Sequence, residues 1–358
     1  GLGDVYKRQL HSLALALLCL LAFGAKAADR HAPTEDEMSA YLFVFFSDPT
    51  HGLFMATSDD GYTFTVLNDG KPIIAGDTIA EQKGVRDPHI SRGPDGAFYL
   101  AMTDLHIFAK QRGLRETQWD RPAEDYGWGN NQALVMMKSY DLINWTRSNM
   151  RIDKTYPEKF GNAGCIWAPE TIYDPVEGKM MIYFTSRMGN GGSKLYYAYT
   201  DDDFTTLVTE PKLLMEYPDE NIEVLDADIS RMPDGRWCMA YVAQEKPGGI
   251  KIAYSDNVNG PWEYLPDQVD FEDGACEAPN VWKRIGEDKW VLMYDIFSIR
   301  PNNFGFAETT DFKTFKNLGH FNEGVMKITN FTSPKHGSII PITAEEKARL
   351  EKHWSAAK

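Results

Sequence analysis

One short pattern returns five times along this chain and leaves few folds open to it. A strand-like run ends in a polar turn that leads into an aromatic residue. The instances are Ser58-Asp59-Asp60-Gly61-Tyr62-Thr63-Phe64, Ser139-Tyr140-Asp141-Leu142-Ile143-Asn144-Trp145, Thr200-Asp201-Asp202-Asp203-Phe204, Ser255-Asp256-Asn257 leading to Trp262, and Thr309-Thr310-Asp311-Phe312 leading to Phe315. With an insertion between Ala109 and Gln132 set aside, the period settles at about 55 residues, room for some four strands per unit. The stretches between the turns read as short strands bounded by Gly, Pro, Asn and Asp. A unit of that size is a small twisted sheet that cannot bury its faces alone, so the units must stack around an axis. The predicted fold is all-β, a five-bladed β-propeller. Two independent domains would not keep one period across the midpoint.

The chain ends fit such a ring only if they share a blade. Residues 41–46 and 52–57 read as outer strands with no inner strand before them. Residues 333–340 (Ser-Pro-Lys-His-Gly-Ser-Ile-Ile) read as an inner strand with no outer strands after it. Pairing the two segments closes the ring over residues 41–340, with 28–40 as a linker and 341–358 as a short C-terminal helix outside it. The tail near Thr343 offers an N-cap followed by Glu345 and Glu346, as a helix start should. Residues 1–9 lack an initiator Met and read as foreign or fragmentary. Residues 10–23 are apolar but too short to span a bilayer comfortably. They end at Ala25-Lys26-Ala27, so residues 1–27 are expected to be a leader with a secretory signal peptide, sending the protein to the periplasm or beyond.

A formal net charge of −15 argues against nucleic acid and anionic membranes, where neutralising phosphate with Lys and Arg dominates affinity. An aromatic share of 13% suits an all-β protein that handles neutral sugars. The charge balance fits a neutral ligand, and the chain is expected to be monomeric. Cys165, Cys238 and Cys276 remain beyond the leader, an odd number with no metal-type pair, and read as buried strand residues. Pro94-Asp95-Gly96 and Pro233-Asp234-Gly235 fit hairpin turns rather than calcium loops.

Three acids stand at strand mouths: Asp87 in Val85-Arg86-Asp87-Pro88-His89-Ile90, Asp226 in Leu225-Asp226-Ala227-Asp228-Ile229, and Glu277 in Cys276-Glu277-Ala278-Pro279-Asn280-Val281. Each lies nine residues before a turn glycine (Gly96, Gly235, Gly286), which puts all three at one position of the repeat. The second inner strand offers Ala168 there, and the fifth offers His336. Equivalent residues at the mouths of inner strands converge on one funnel. Clustered carboxylates repel and resist desolvation, so at least one should titrate high. The cluster adds nothing to folding and is a functional candidate. Each acid alone could equally bind backbone amides at a strand end. Two carboxyl groups across a concave site are the equipment of glycosidic bond cleavage, one protonated and one ionised. A third can hold the acid's pKa up. Asp228 rivals Asp226, because alternate strand residues face the same way.

With Trp167-Ala168-Pro169-Glu170 and Lys335-His336-Gly337 added to these segments, the chain resembles glycoside hydrolase family 43 over residues 41–340. The resemblance implies a five-bladed propeller and an inverting glycosidase. It implies Asp87 as the base that activates water, Asp226 as the acid that modulates pKa and orientation, and Glu277 as the general acid. No cofactor is required for that chemistry. His336 matches a position near the axis that helps hold a water or calcium cluster, so a structural Ca2+ is the metal to look for. Glu170 stands where the family more often has Asp, and a full set of outer strands precedes Asp87. Retaining propeller enzymes acting on fructosides open on Trp-Met-Asn-Asp-Pro, which is absent here. A non-catalytic carbohydrate-binding propeller would have replaced one of the three acids.

A sugar ring has one hydrophobic face, so its site needs an aromatic platform beside polar groups. Trp167 is the expected platform, with Glu170 and His336 beside it. Residues 110–132 hold Trp119, Tyr126 and Trp128 and should build a rim that narrows the funnel to a pocket for one terminal sugar. His106 and Arg300 are candidates for hydrogen bonds to the sugar. The expected activity is that of an exo-acting α-L-arabinofuranosidase, with β-xylosidase and exo-β-galactosidase as the alternatives within the family.

Overall fold

The structure is a computed structural model that describes residues 30–245 and 248–355. The leader and cleavage site expected over residues 1–27 lie outside the described residues.

Tyr41-Leu42-Phe43-Val44-Phe45-Phe46 is apolar at every position, so a strand made from it must be covered on both faces. It forms β1 (Met38–Phe46), followed by β2 (Leu53–Ser58) and β3 (Thr63–Val66). Leu42 and Val44 pack against Val85, Ile90 and Leu100 on one side. Phe43 and Phe45 pack against Val291, Phe304 and Phe306 on the other.

Those two sides belong to neighbouring blades. One blade is β4 (Val85–Arg92), β5 (Phe98–Asp104), β6 (Ala133–Ser139) and β7 (Thr146–Arg151). The next is β8 (Ala163–Asp174), β9 (Lys179–Met188), β10 (Lys194–Tyr199) and β11 (Lys212–Leu213). A third holds β12 (Val224–Arg231), β13 (Trp237–Ala243), β14 (Gly249–Ser255) and β15 (Glu263–Gln268). A fourth holds β16 (Glu277–Lys283), β17 (Trp290–Ile296), β18 (Asn303–Thr309) and β19 (Lys316–His320). The fifth is completed by β20 (Lys327–Ile328), parallel to β3 at the outer edge, and β21 (Lys335–Thr343), which pairs with β1 at the axis. The protein is thus an all-β five-bladed propeller, and its C-terminal strand supplies the inner strand of the N-terminal blade, with Phe43 opposite Ile339. Five apolar clusters fill the joints between blades, which is why the strands read as nearly continuous hydrophobic runs.

The repeated polar turn has a local cause. Ser58, Ser139 and Thr309 each accept the N–H three residues on, from Gly61, Leu142 and Phe312. Asp60, Asp141 and Asp311 then accept the two N–H groups that follow. Hydroxyl and carboxylate together cap the outer hairpin, the usual role of these side chains in turns.

The C-terminal helix spans Ala344–Ser355 and begins later than expected, because β21 stays in the sheet through Thr343. Thr343 accepts Glu346 N–H at 3.2 Å, while Glu346 accepts Thr343 N–H at 2.8 Å, a capping box. Glu346 also takes both guanidinium nitrogens of Arg92, at 2.8 and 2.7 Å, which ties the helix to β4. No helix among the described residues is long and apolar enough to cross a membrane.

Candidate active site

Every inner strand carries one extra residue, and that residue sits in the left-handed region: Asp87 (φ 51°), Ala168 (44°), Asp226 (48°), Ala278 (55°) and His336 (23°). The ladders slip at those points; Arg86 faces Thr103 while His89 faces Ala101, so Asp87 and Pro88 share one partner. The same slip recurs on β8, β12, β16 and β21. Such bulges re-aim a side chain, here toward the axis. A non-glycine residue held this way costs about 1–3 kcal/mol, and strain of that kind gathers at functional sites. Pro88, Pro169 and Pro279 follow three of the bulges, where the interrupted ladder leaves room for a residue with no N–H to donate.

Glu277 does not occupy the position of Asp87 and Asp226; Ala278 does. The hairpin closed by Arg284 and Lys289 is one residue longer than those closed by Gly93 and Ala97 or by Met232 and Arg236. Gly286 therefore sits differently in its turn, and the count of nine lands one residue early. Glu277 is equivalent to Arg86, Trp167, Leu225 and Lys335, the residues just before the bulges.

Both tiers meet in one cavity of about 250 Å³, walled by Arg86, Asp87, Leu105, Trp128, Trp167, Leu225, Asp226, Glu277, Phe297 and His336. That volume lies at the small end of ligand pockets. Asp87 accepts the Thr103 hydroxyl at 2.7 Å, and its other oxygen is 3.3 Å from Nδ1 of His336. His336 also stands 4.0 Å from Asp226, which accepts the N–H of Ala278 at 3.2 Å.

The charges are driven apart. Burial works to raise the pKa of Asp87, but His336, Arg86 and the Thr103 hydroxyl hold it well below the usual carboxylate range. Burial and the charge of Asp87 push Asp226 up to about 6, against the pull of His336. Burial pushes Glu277 up to about 7; Lys335 opposes the rise, and Asp295 and Asp226 add to it. Burial would lower His336, yet Asp87 and Asp226 raise it to about 9. An ionised carboxylate, an imidazolium and a carboxylic acid thus face one cavity near neutral pH.

Trp128 and Trp167 lie edge to face, 5.9 Å between ring centres, with Trp128 more than half exposed at the rim. Trp167 donates its indole N–H to Gly129 at 2.9 Å, and Arg187 lies over its ring and donates to the carbonyls of Tyr126 and Trp128. The insertion is fastened in this way over one side of the cavity. Trp119 packs behind Trp128, nearly buried.

Glu170, His106 and Arg300 do not border the cavity, and the expectation that they touch sugar is corrected. His106 is buried against His51, ring centres 4.0 Å apart. The Arg300 guanidinium turns back on the carbonyls of Phe297 and Ile299 and on Asn302. Glu170 lies one layer down the axis, in a ring that also decides between Asp226 and Asp228. Two residues beyond the bulges come His89, Glu170, Asp228, Asn280 and Ser338. His89 accepts Thr171 N–H (3.1 Å), Asp228 accepts Val281 N–H (2.8 Å), Asn280 accepts Ile339 N–H (2.9 Å) and Ser338 accepts Ile90 N–H (2.8 Å). Glu170 accepts the Tyr183 hydroxyl (2.9 Å), whose oxygen takes Ile229 N–H (3.0 Å). Each inner strand is fastened to the next all the way round. Asp228 serves this ring and Asp226 faces the cavity.

The residues do not build a calcium cage. Calcium takes six to eight oxygen ligands. His336 offers one nitrogen, and between two carboxylates it is held as a cation near neutral pH, without a lone pair for a metal. His89, Glu170 and Asp228 are the one group of ligand atoms among the described residues close enough to hold an ion. Nδ1 of His89, Oε2 of Glu170 and both oxygens of Asp228 are already spent on backbone, hydroxyl and amide donors of neighbouring strands. Because Nδ1 of His89 accepts an N–H, the proton of the neutral ring is on Nε2, the nitrogen facing both carboxylates at 3.8 Å.

The sequence reading gave no role to Arg86, Thr103, Asp295, Lys335, Leu105, Leu225 or Phe297. Thr103 and Asp295 sit on second strands directly opposite Arg86 and Glu277, a relation fixed only by sheet register. Lys335 immediately precedes His336, and the parallel with Arg86 before Asp87 was the signal available.

Residues 36–348 match a family model of the family-43-related glycosyl hydrolases, described as "Probable glycosyl hydrolase domain". An alpha-L-arabinofuranosidase from Bifidobacterium longum subsp. longum is 28% identical over 185 residues, 49% of this chain but 15% of that protein. The match thus spans a small part of that relative's length. Among solved structures, an endo-arabinase from Bacteroides thetaiotaomicron aligns with a TM-score of 0.55 at 17% identity, over 78% of this chain and 96% of that one. An endo-1,4-beta-xylanase from the same organism aligns with a TM-score of 0.56 at 12% identity, over 81% and 94%. At those identities the likeness is one of fold.

Proposed function

Because the chain belongs to the family-43-related glycosyl hydrolases, we propose that it hydrolyses a glycosidic bond with inversion, releasing one terminal sugar from a neutral plant glycan. The observation that carries this reading is the split between Asp87, held ionised, and Glu277, pushed up to about 7, on one cavity. Pairs of carboxyls with pKa values driven apart are how a site runs acid and base chemistry together.

In this mechanism Asp87 takes a proton from water as it attacks the anomeric carbon. The Thr103 hydroxyl and His336 hold that carboxylate in place and in charge. Glu277 gives its proton to the leaving oxygen, so that the departing sugar leaves as an alcohol. Asp226, between His336 and the backbone of Ala278, adds negative charge that keeps Glu277 protonated until it donates. The indoles of Trp128 and Trp167 offer the apolar face a sugar ring stacks on.

The small cavity and its aromatic rim favour an exo-acting enzyme. The arabinofuranosidase relative favours α-L-arabinofuranose as the released sugar. The leader read from residues 1–27 would put this activity outside the cytoplasm, where such glycans are found.

The test is a panel of p-nitrophenyl glycosides and arabinose-, xylose- and galactose-bearing polysaccharides, with the anomer of the product followed by NMR. Arabinose released in the inverted configuration is the expected result. Release of xylose or galactose instead would replace the substrate, and a retained anomer would overturn the role of Asp87. Asp87→Asn and Glu277→Gln should each cost about 10²–10⁴-fold in turnover of an unactivated glycan. Near-native activity in either would refute its assignment.

A further inference from the structure

A fourth carboxylate stands behind the site and the mechanism above leaves it without a task. Asp295 on β17 is the cross-strand partner of Glu277 and is wholly buried. One of its oxygens accepts the Lys335 ammonium at 2.9 Å and the backbone N–H of His336 at 3.1 Å. Its other oxygen, Oδ1, has no hydrogen-bond partner. A buried carboxylate oxygen left unpaired contributes nothing to the fold, and groups of this kind call for a functional explanation.

Lys335 sets the problem that Asp295 solves. Its Nζ lies 3.5 Å from Oε1 of Glu277, close enough that an uncompensated cation would ionise the acid the reaction needs. Asp295 lies closer and takes that charge. We propose that Asp295 and Lys335 together act as positioning residues for Glu277, keeping it protonated and fixing which of its oxygens carries the proton. An ammonium only donates, so Oε1, which faces it, is the acceptor oxygen and the proton resides on Oε2. The pair thus orients the donor without discharging it.

The other charged groups facing this point have been placed already: Asp226 from β12, Asp87 and Arg86 from β4, and His336 from β21. None of them is the cross-strand neighbour of Glu277, and none is bound to Lys335. The inference rests on Glu277 being the general acid.

The experiment is the pH profile of kcat/KM on an unactivated oligosaccharide substrate, for full-length Asp295→Asn, Lys335→Met and Lys335→Arg. Removing the negative charge leaves Lys335 uncompensated, so Asp295→Asn should move the alkaline limb to lower pH by about one unit or more. Removing the positive charge should move the limb of Lys335→Met to higher pH, while Lys335→Arg keeps it in place. Opposite shifts are the signature, since a merely structural pair would lower activity at every pH without moving the limb. Shifts in the same direction for Asp295→Asn and Lys335→Met, or an unmoved limb in either of these two while it retains the fold by circular dichroism, would overturn the proposal. Glu277→Gln separates the two layers of inference. If it keeps oligosaccharide hydrolysis, the acid assignment has failed; if it abolishes hydrolysis while the limbs stay put, this proposal alone has failed.

Discussion

Replacing Tyr183 with Phe removes one oxygen and tests whether the ring below the site holds the blades together. That oxygen donates to Glu170 at 2.9 Å and accepts Ile229 N–H at 3.0 Å, so it relays the second blade to the third. The side chain is almost wholly buried and its ring atoms stay in the variant, so packing is little changed. What changes is that the Ile229 N–H loses its acceptor and Glu170 loses a donor. A buried group left unsatisfied costs about 1–3 kcal/mol, which puts the pair at about 2–6 kcal/mol. For a chain of this size, where each kcal/mol is worth about 1.5 °C, that corresponds to a melting temperature lower by about 3–9 °C. Differential scanning calorimetry of both proteins at one pH measures it. If Tyr183→Phe melts within a degree of the native protein, the relay carries no weight and the reasoning about the ring is wrong.

Two further outcomes are expected. Trp128→Ala should raise KM for the preferred glycan about tenfold with a smaller effect on kcat, because the exposed indole offers surface to the bound sugar rather than charge to the reaction; steady-state kinetics showing loss in kcat alone would contradict this. His336, raised from 6.5 to about 9 in the fold, contributes stability that is fully present below pH 6.5 and is lost as pH rises through 9. Denaturation midpoints should therefore fall across that window, and His336→Gln should flatten the fall; an unchanged slope would show that the imidazole is not charged.

The propeller could be read from the sequence because its evidence is local and repeated. The Ser/Thr-x-Asp turns at Ser58, Ser139 and Thr309 cap hairpins by bonds to their own backbone, so they leave the same mark in three of the five blades. The shared blade was legible from β1 and β21, each incomplete alone. The site was harder, because its geometry lies in ladder slips that composition does not encode. A turn longer by one residue made Glu277 look equivalent to Asp87, although it belongs one position earlier. Glu170 was placed with the sugar because it follows Trp167 closely, but the bulge at Ala168 sends Trp167 to the cavity and Glu170 to the ring below. Thr103 and Asp295 gave no sign, since only register brings them beside Arg86 and Glu277. His106 and Arg300 were chosen by nearness in sequence to the rim, and packing took one into the interior and the other onto its own loop.

The five bulges form a frame with near fivefold repetition, but their side chains break it. Two seats carry only the methyl groups of Ala168 and Ala278, and three carry Asp87, Asp226 and His336. An axis occupied alike from every direction would offer a ligand five equivalent settings. With charge confined to some seats, and Glu277 stepping in beside an empty one, the five directions around the axis cease to be equivalent. The setting a ligand can take about the axis is therefore written in which positions were left small.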